Sequence, residues 1–173
     1  PELSARGGKK LTPISLDQAE DELHAAADTG ANLLLFGEDN YPDRLARFED
    51  APIALTYMGD ISLLQKPALA IVGARNASLN ACRLTEAYAR ALGAESYAII
   101  SGMARGIDRA AHEGSLATGS IAVLANGIDI AYPKDNTDIY EKLGANGLIL
   151  SEMRVGTQPA SRLFPIRNRI IAS

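Results

Sequence analysis

The sequence has few of the residues on which disulfide-bonded, metal-binding or base-stacking proteins depend. Of its 173 residues one is cysteine, two are histidine and none is tryptophan, and the aromatic fraction is 5%. A single cysteine, Cys82, excludes an internal disulfide and suits a reducing cytoplasm. No group of Cys and His residues has the spacing of a metal site. We therefore expect a cytoplasmic protein without a bound metal, in which Cys82 is a small buried residue and His24 is solvated.

Long apolar runs are also missing. None approaches the roughly 18 residues that cross a bilayer, and no signal peptide follows Pro1, so no membrane partner is expected. The absence of an initiator methionine suggests a fragment. The net charge of −4 excludes bulk attraction to nucleic acid. Beyond Glu152, however, there are arginines and no acidic residue, which leaves two readings open: a basic patch that binds a polyanion, or a solvated tail.

Four apolar runs alternate with amphipathic stretches from residue 68 onward. The runs are ALAIV, YAIIS, SIAVLA and GLILS, and the helices between them are predicted at 78–94, 106–118 and 136–144. Runs without polar alternation are typical of strands buried on both faces. Their separation by helices predicts a parallel sheet with right-handed crossovers, a Rossmann-like, doubly wound α/β domain. Because RNRIIAS begins another helix, we expect the sheet to continue beyond Ser173.

The first part of the chain gives weaker signals. Residues 1–14 lack periodicity and form a loose lead-in. Ser15 and Gln18 have the spacing of a capping box, which predicts a helix from Leu16 that stops at Gly30. NLLLFGEDNYP is expected to form a short strand or a buried segment that ends in a turn, and a helical turn precedes an extended run over residues 53–58.

The carboxyl ends of the strands are where such sheets bind ligands. Gly73, Gly102 and Gly106 would let backbone N–H groups approach a ligand closely. The helix that starts near Gly106 would point its free N–H groups at the same opening beyond the strand ends, here called the mouth. Five cationic side chains could converge there: Arg75, Arg105, Lys134, Arg167 and Arg169. Phosphate is the natural ligand for such a set.

Less specific explanations remain open for these residues. The glycines can serve tight turns only, and Arg75 can pair with Asp108 or Glu152. His112 lies four residues after Asp108, where a local pair is expected. GARNAS is not a dinucleotide fingerprint, no P-loop is present, and Ser101 lacks the nucleophile-elbow pattern. We expect no cofactor and no catalytic residue.

The order and spacing of the motifs resemble the DprA/Smf DNA-processing family. They are YPDRL, AIVGAR, IISGMARGIDRAAHEGSL, IAVLANGIDIAYPKDN, LILSE and FPIRNRIIAS, within residues 41–173. The resemblance implies an extended Rossmann domain that binds single-stranded DNA taken up in natural transformation. It also implies protection of that strand, help in loading the RecA recombinase, a homodimer, and no enzymatic activity. Residues 1–59 would form a small helical N-terminal domain with its connector, and residues 60–173 an incomplete Rossmann-like domain.

Residue by residue, the resemblance implies that Arg75, Lys134 and three positions of FPIRNR line the DNA pocket. Together with the turn residues, the predicted DNA-binding set is Gly73, Arg75, Ser101, Gly102, Arg105, Gly106, Lys134, Phe164, Arg167 and Arg169. Near this mouth only Tyr132 and Phe164 are aromatic, so we expect binding led by phosphate contacts rather than by base stacking.

Two other function classes compete with this one. A nucleotide-cleaving phosphoribohydrolase would use a similar scaffold, although its P-G-G-x-G-T-x-x-E turn does not occur in these residues. A structural or protein-binding module would use the glycines for turns alone.

Overall fold

The computed structural model describes residues 15–173, and the expected lead-in of residues 1–14 lies outside that range. The helices are α1 (Leu16–Asp28), α2 (Asp43–Ala46), α3 (Leu79–Ala94), α4 (Ile107–Ser115), α5 (Thr137–Asn146) and α6 (Leu163–Ile171). The strands are β1 (Asn32–Leu35), β2 (Ala54–Gly59), β3 (Ala68–Ala70), β4 (Ala98–Ser101), β5 (Ser120–Leu124) and β6 (Leu148–Ser151). Two short 3-10 helices cover Ile61–Gln65 and Lys134–Asn136.

The six strands form one mixed sheet in the order β1-β2-β6-β5-β4-β3. Strands β3 to β6 are parallel and neighbour one another in chain order, which confirms the predicted parallel, Rossmann-like α/β sheet. The prediction that it is doubly wound is wrong, because the order of the parallel strands within residues 15–173 does not reverse. β2 pairs antiparallel with β6, and β1 pairs antiparallel with β2. The sheet therefore runs across residue 59, and the division into residues 1–59 and 60–173 stays a prediction.

Helices cover both faces of the sheet, but the three crossover helices share one face. Ala122, Leu124 and Ile149 pack with residues of α1 and α5, while Ile99 packs with Ala89 of α3 and Ala111 of α4. The alternate strand positions, including Ile121, Val123 and Leu150, pack with residues of α2, α6 and the 3-10 helix at 61–65. Since β3 to β6 advance in one direction, right-handed crossovers place α3, α4 and α5 on the same side.

Local signals in the sequence account for the helix starts. Ser15 caps α1 and forms the predicted capping box with Gln18, while the side chain of Ser78 accepts from the N–H of Ala81 at the start of α3. α6 begins at Leu163, upstream of the predicted RNRIIAS. Pro165 does not prevent this because the first-turn N–H groups of a helix need no partner within the helix.

β3 is the exception to the prediction of strands buried on both faces. It lies at the end of the sheet, and Leu69 is 38% exposed, whereas every residue of β5 and β6 is buried. An apolar run thus indicated a strand correctly without revealing that the strand has a neighbour on only one side. Over the residues that the structure describes, no helix combines the length and apolarity needed to traverse a membrane.

Candidate functional site

A cavity of about 760 Å³ opens at the carboxyl ends of the parallel strands. Its walls come from the segments after β3, β4 and β5 and from the first turns of α6. Six of the ten predicted site residues line it: Arg75, Gly102, Arg105, Lys134, Phe164 and Arg167. The sequence predicts that Arg75 and Lys134 form one pocket with the turn at residues 101–106, and the cavity brings both together with residues 102–105 of that turn.

Arg75 lies over an aromatic ring at the mouth of this cavity. Its guanidinium carbon is 5.0 Å from the centre of the Phe164 ring, and the Tyr132 ring is 6.3 Å from Phe164 at 31°. None of the ion pairs formed within residues 15–173 includes Arg75. A guanidinium held on a ring keeps its N–H donors at the edge, where an anion can accept them. The predicted alternative of a pair with Asp108 or Glu152 is wrong, because both carboxylates bind other groups.

Arg105 and Lys134 also line the cavity. Arg105 pairs with the carboxylate of Asp135 at 2.8 Å, and both side chains are more than half exposed. The segment that carries Lys134 is fixed by Asn136, whose side-chain amide donates to the carbonyls of Met103 (2.8 Å) and Ala104 (3.1 Å). The loop after β5 and the turn after β4 are thus joined as one surface.

Arg109 of α4 reinforces this joint. Its guanidinium donates to the carbonyl of Asp135 at 3.0 Å and to both carboxylate oxygens of Asp138 at 2.8 Å. Arg109 lowers the pKa of the Asp138 carboxyl to about 2, chiefly through these hydrogen bonds.

Arg167 forms the floor of the cavity rather than a free cation. It is 6% exposed, and its guanidinium donates to the carbonyls of Gly102 (2.6 Å) and Val123. A Cβ at residue 102 would come within 2.8 Å of the guanidinium, so a side chain there would displace the guanidinium from this position. Burial lowers the pKa of Arg167, while the nearby Asp108 carboxylate raises it. Arg167 therefore acts chiefly as a brace between β4, β5 and α6.

The N–H groups of Gly73, Gly102 and Ala104 beside α4 are engaged within the protein, contrary to the prediction that Gly73 and Gly102 present theirs to a ligand. Gly73 N–H donates to Oδ1 of Asp108 at 3.2 Å. The N–H groups of Gly102 and Ala104 donate to Oδ2 of the same residue at 3.2 and 3.3 Å. Burial raises the pKa of the Asp108 carboxyl, and these donors oppose the rise.

The other four predicted residues lie outside the cavity lining. Gly73 packs against the side chain of Ile107, and Gly106 has φ +73 with the Ala74 carbonyl where a side chain would begin. Ser101 is buried and donates to the carbonyl of Ile71 at 2.6 Å. Arg169 pairs with Asp50 at 3.3 Å and with Glu152. Arg167 is buried, and Arg169 is paired with two carboxylates and only 22% exposed. Arg105 is paired with Asp135 but is 60% exposed, so the expected convergence of all five cations is reduced to Arg75, Arg105 and Lys134 as accessible groups.

Three expectations about single residues can be compared with the structure. His24 is exposed, as predicted. His112 does not pair with Asp108: it is fully buried, and its Nδ1 lies 2.8 Å from Oγ of Ser120. Burial, together with the nearby Arg167, lowers the pKa of His112 to about 3. Cys82 is half-buried rather than buried. Within residues 15–173 no group of His, Cys, Asp and Glu is arranged to hold a metal ion.

Sequence reasoning did not identify the structural roles of Asp108, Asn136 and Arg109. Their hydrogen bonds join the segments around the cavity, but none of the three lines it. Asp108 stands in the first turn of α4, a position where acidic residues are common for reasons of the helix dipole alone. Asn136 lies in the motif IAVLANGIDIAYPKDN and Arg109 in IISGMARGIDRAAHEGSL, but their partners are 26 to 33 residues distant. No local signal distinguishes such contacts.

Fold and site together define an α/β protein with a Rossmann-like sheet and a cationic cavity suited to an extended anion. The family model for DNA recombination-mediator protein A matches residues 32–173, and the chain belongs to that family. The DNA processing protein DprA of Streptococcus pneumoniae is 42% identical over 137 residues, which cover 78% of this chain and 48% of that protein. Protein Smf of Synechocystis is 40% identical over 141 residues, with coverages of 78% and 35%.

Solved structures agree with these matches. The X-ray structure of S. pneumoniae DprA superposes with a TM-score of 0.82 at 37% identity, covering 92% of this chain and 55% of that one. DprA from Helicobacter pylori, for which a single-stranded DNA binding mode is described, has a TM-score of 0.75 at 32% identity, covering 82% and 64%. This chain spans about half the length of S. pneumoniae DprA.

Proposed function

We propose that this protein binds single-stranded DNA through the cavity at the carboxyl ends of β3 to β5. The observation that carries the proposal is the cavity mouth itself, where Arg75 lies on Phe164 and Arg105 and Lys134 line the same cavity. Three accessible cations and two rings suit a backbone of phosphates with bases beside it. The single-stranded DNA binding described for the H. pylori relative supports the same ligand class.

The biological role that we propose is natural transformation. The protein would protect the incoming strand, help load RecA on it, and act as a cytoplasmic homodimer without catalysing a reaction. Family membership supports this role.

Fluorescence anisotropy with labelled oligo-dT tests the DNA-binding proposal. We expect the wild-type protein to bind, and Lys134→Ala to bind about tenfold more weakly, since a charge-assisted hydrogen bond contributes about 1.5–3 kcal/mol. Lys142→Ala is the matched control: Lys142 is an exposed lysine of α5 that does not line the cavity. No binding by the wild type, or equal losses in both variants, would refute the proposed site.

Separate assays test the wider role. Nuclease digestion of oligo-dT measures protection, and RecA ATPase activity on DNA coated with single-strand-binding protein measures loading. Sedimentation velocity measures the oligomeric state. Release of free base from a nucleoside monophosphate would instead favour the phosphoribohydrolase alternative.

A further inference from the structure

The turn between β4 and α4 has the form of a phosphate site, but five of the backbone N–H donors in and beside it are occupied by the chain itself. In open α/β sheets, backbone N–H groups at a strand–helix turn and at the helix N-terminus bind the phosphate of a nucleotide. Here the N–H of Ile107 donates to the carbonyl of Ala74 at 3.2 Å, and that of Arg109 to the carbonyl of Ala104 at 3.1 Å. Gly73, Gly102 and Ala104 donate to Asp108.

The carboxylate of Asp108 accepts hydrogen bonds that a bound anion would otherwise accept. It is the second residue of α4 and is 4% exposed. Its two oxygens divide the donors, one accepting from the turn after β3 and the other from the turn after β4. A carboxylate attached to the chain loses no translational freedom on binding, so an external phosphate competes with it at a disadvantage.

We propose that Asp108 is a specificity-determining residue that occupies the place of a terminal phosphate and keeps free nucleotides out of the turns. A ligand's phosphates are left to the side chains of Arg75, Arg105 and Lys134, which suit the spaced charges of a phosphodiester strand. The second half of this inference rests on the proposed function. The first half, that no external anion binds at the turns, stands independently of DNA.

Amide NMR titrations test the exclusion in the wild-type protein. Inorganic phosphate and thymidine 5′-monophosphate are added to about 10 mM, roughly ten thousand times the Kd of a micromolar site. We expect no saturable shift at the amides of Gly73, Gly102 and Ala104. A saturable shift at all three amides would overturn the proposal.

The variant Asp108→Gly should allow a small external anion to bind at the turns after β3 and β4. It leaves the three N–H groups without their carboxylate, and formate has the size to replace it. We expect formate to shift these three amides saturably and to raise the melting temperature of this variant only. Asp17→Gly is the control, because Asp17 is also the second residue of its helix but is exposed. A folded Asp108→Gly protein that ignores formate would overturn the proposal.

A second variant and an oligo-dT measurement separate the possible outcomes of these experiments. If Asp108→Gly does not fold, Asp108→Asn replaces it: an amide cannot accept all three donors, so one of the three amides should lose its hydrogen-exchange protection. Retention of protection at all three would count against Asp108. Oligo-dT binding is measured on the same wild-type sample. If the wild type does not bind oligo-dT and phosphate does not shift the three amides, the proposed function alone is refuted. If the wild type binds oligo-dT and phosphate shifts the three amides saturably, the Asp108 inference alone is refuted.

Discussion

Arg75 is held by a ring and not by a carboxylate, which separates its contribution to binding from its contribution to stability. An exposed cation–π contact is worth about 0.5–1 kcal/mol. Within residues 15–173 Arg75 is in no ion pair and contacts the Phe164 ring of its own cavity, so its side chain can be removed at little cost to the fold, while a bound phosphate would lose a bidentate donor.

Arg75→Ala is therefore expected to weaken oligo-dT binding about tenfold and to lower the melting temperature by no more than about 4 °C. Anisotropy and thermal denaturation measure the two effects. Arg83→Ala, at an exposed arginine of α3 that does not line the cavity, should change neither. A large loss of stability with unchanged affinity would show that Arg75 is structural.

His112 makes the stability of the protein sensitive to mild acid. Its pKa is lowered from 6.5 to about 3 by burial, so the folded protein keeps the ring neutral where the unfolded chain takes up a proton. Between these values the unfolded state binds more protons, and the free energy of unfolding falls as the pH falls, by up to about 1.4 kcal/mol per pH unit.

Comparing urea unfolding at pH 7 and pH 5 tests this expectation. The wild type should lose more stability over this interval than His112→Asn, whose amide can still bond to Ser120 but does not titrate. His24→Asn, at an exposed histidine, should behave as the wild type does. Equal losses in the wild type and His112→Asn would contradict the assignment. We expect His112 and Cys82 to be dispensable for DNA binding, since neither lines the cavity.

At the scale of elements, the site depends on the joint between the turn after β4 and the loop after β5. Lys134 stands on that loop, and Asn136 ties the loop to the carbonyls of Met103 and Ala104. Met103 has φ +62, an uncommon conformation for a residue with a side chain, which the surrounding contacts must maintain.

Asn136→Ala should loosen this joint. Removing the buried donor leaves two carbonyls without it, which we expect to cost about 1–3 kcal/mol of stability. Urea unfolding measures this loss. Affinity for oligo-dT, measured where the variant is fully folded, should fall as Lys134 loses its fixed position. Asn80→Ala, on the exposed start of α3, is the control. Wild-type affinity in a destabilised Asn136→Ala protein would show that the joint does not position Lys134.

For the molecule as a whole, the net charge of −4 and a cationic cavity predict local, salt-sensitive binding. Each phosphate contact on a single strand releases about 0.7 counterions, so three accessible cations give a slope of log K against log salt concentration near −2. Anisotropy titrations at four salt concentrations measure the slope. Single strands should bind more tightly than duplex DNA. A slope near zero, or equal affinity for both forms, would exclude the cavity as the site of phosphate binding.

Most of the parallel sheet and part of the site could be predicted from sequence, for identifiable reasons. Capping at Ser15 and apolar runs such as SIAVLA are local patterns, and parallel strands place their carboxyl ends together, which brought Arg75 and Lys134 to one mouth. The antiparallel pairing of β2 with β6 joins residues about 90 apart in the chain, and nothing near either strand specifies the partner.

The sequence by itself determined where helices and strands form and which strand ends carry cations, because these depend on neighbours within a few residues. Only the tertiary structure decided which charges remain accessible. Arg169 is paired with Asp50, Arg167 is buried, and Asp108 takes the N–H groups of two turns. A charged or hydrogen-bonding group binds the nearest suitable partner in space, and when that partner lies in a distant segment, only the packing of the whole chain brings the two together.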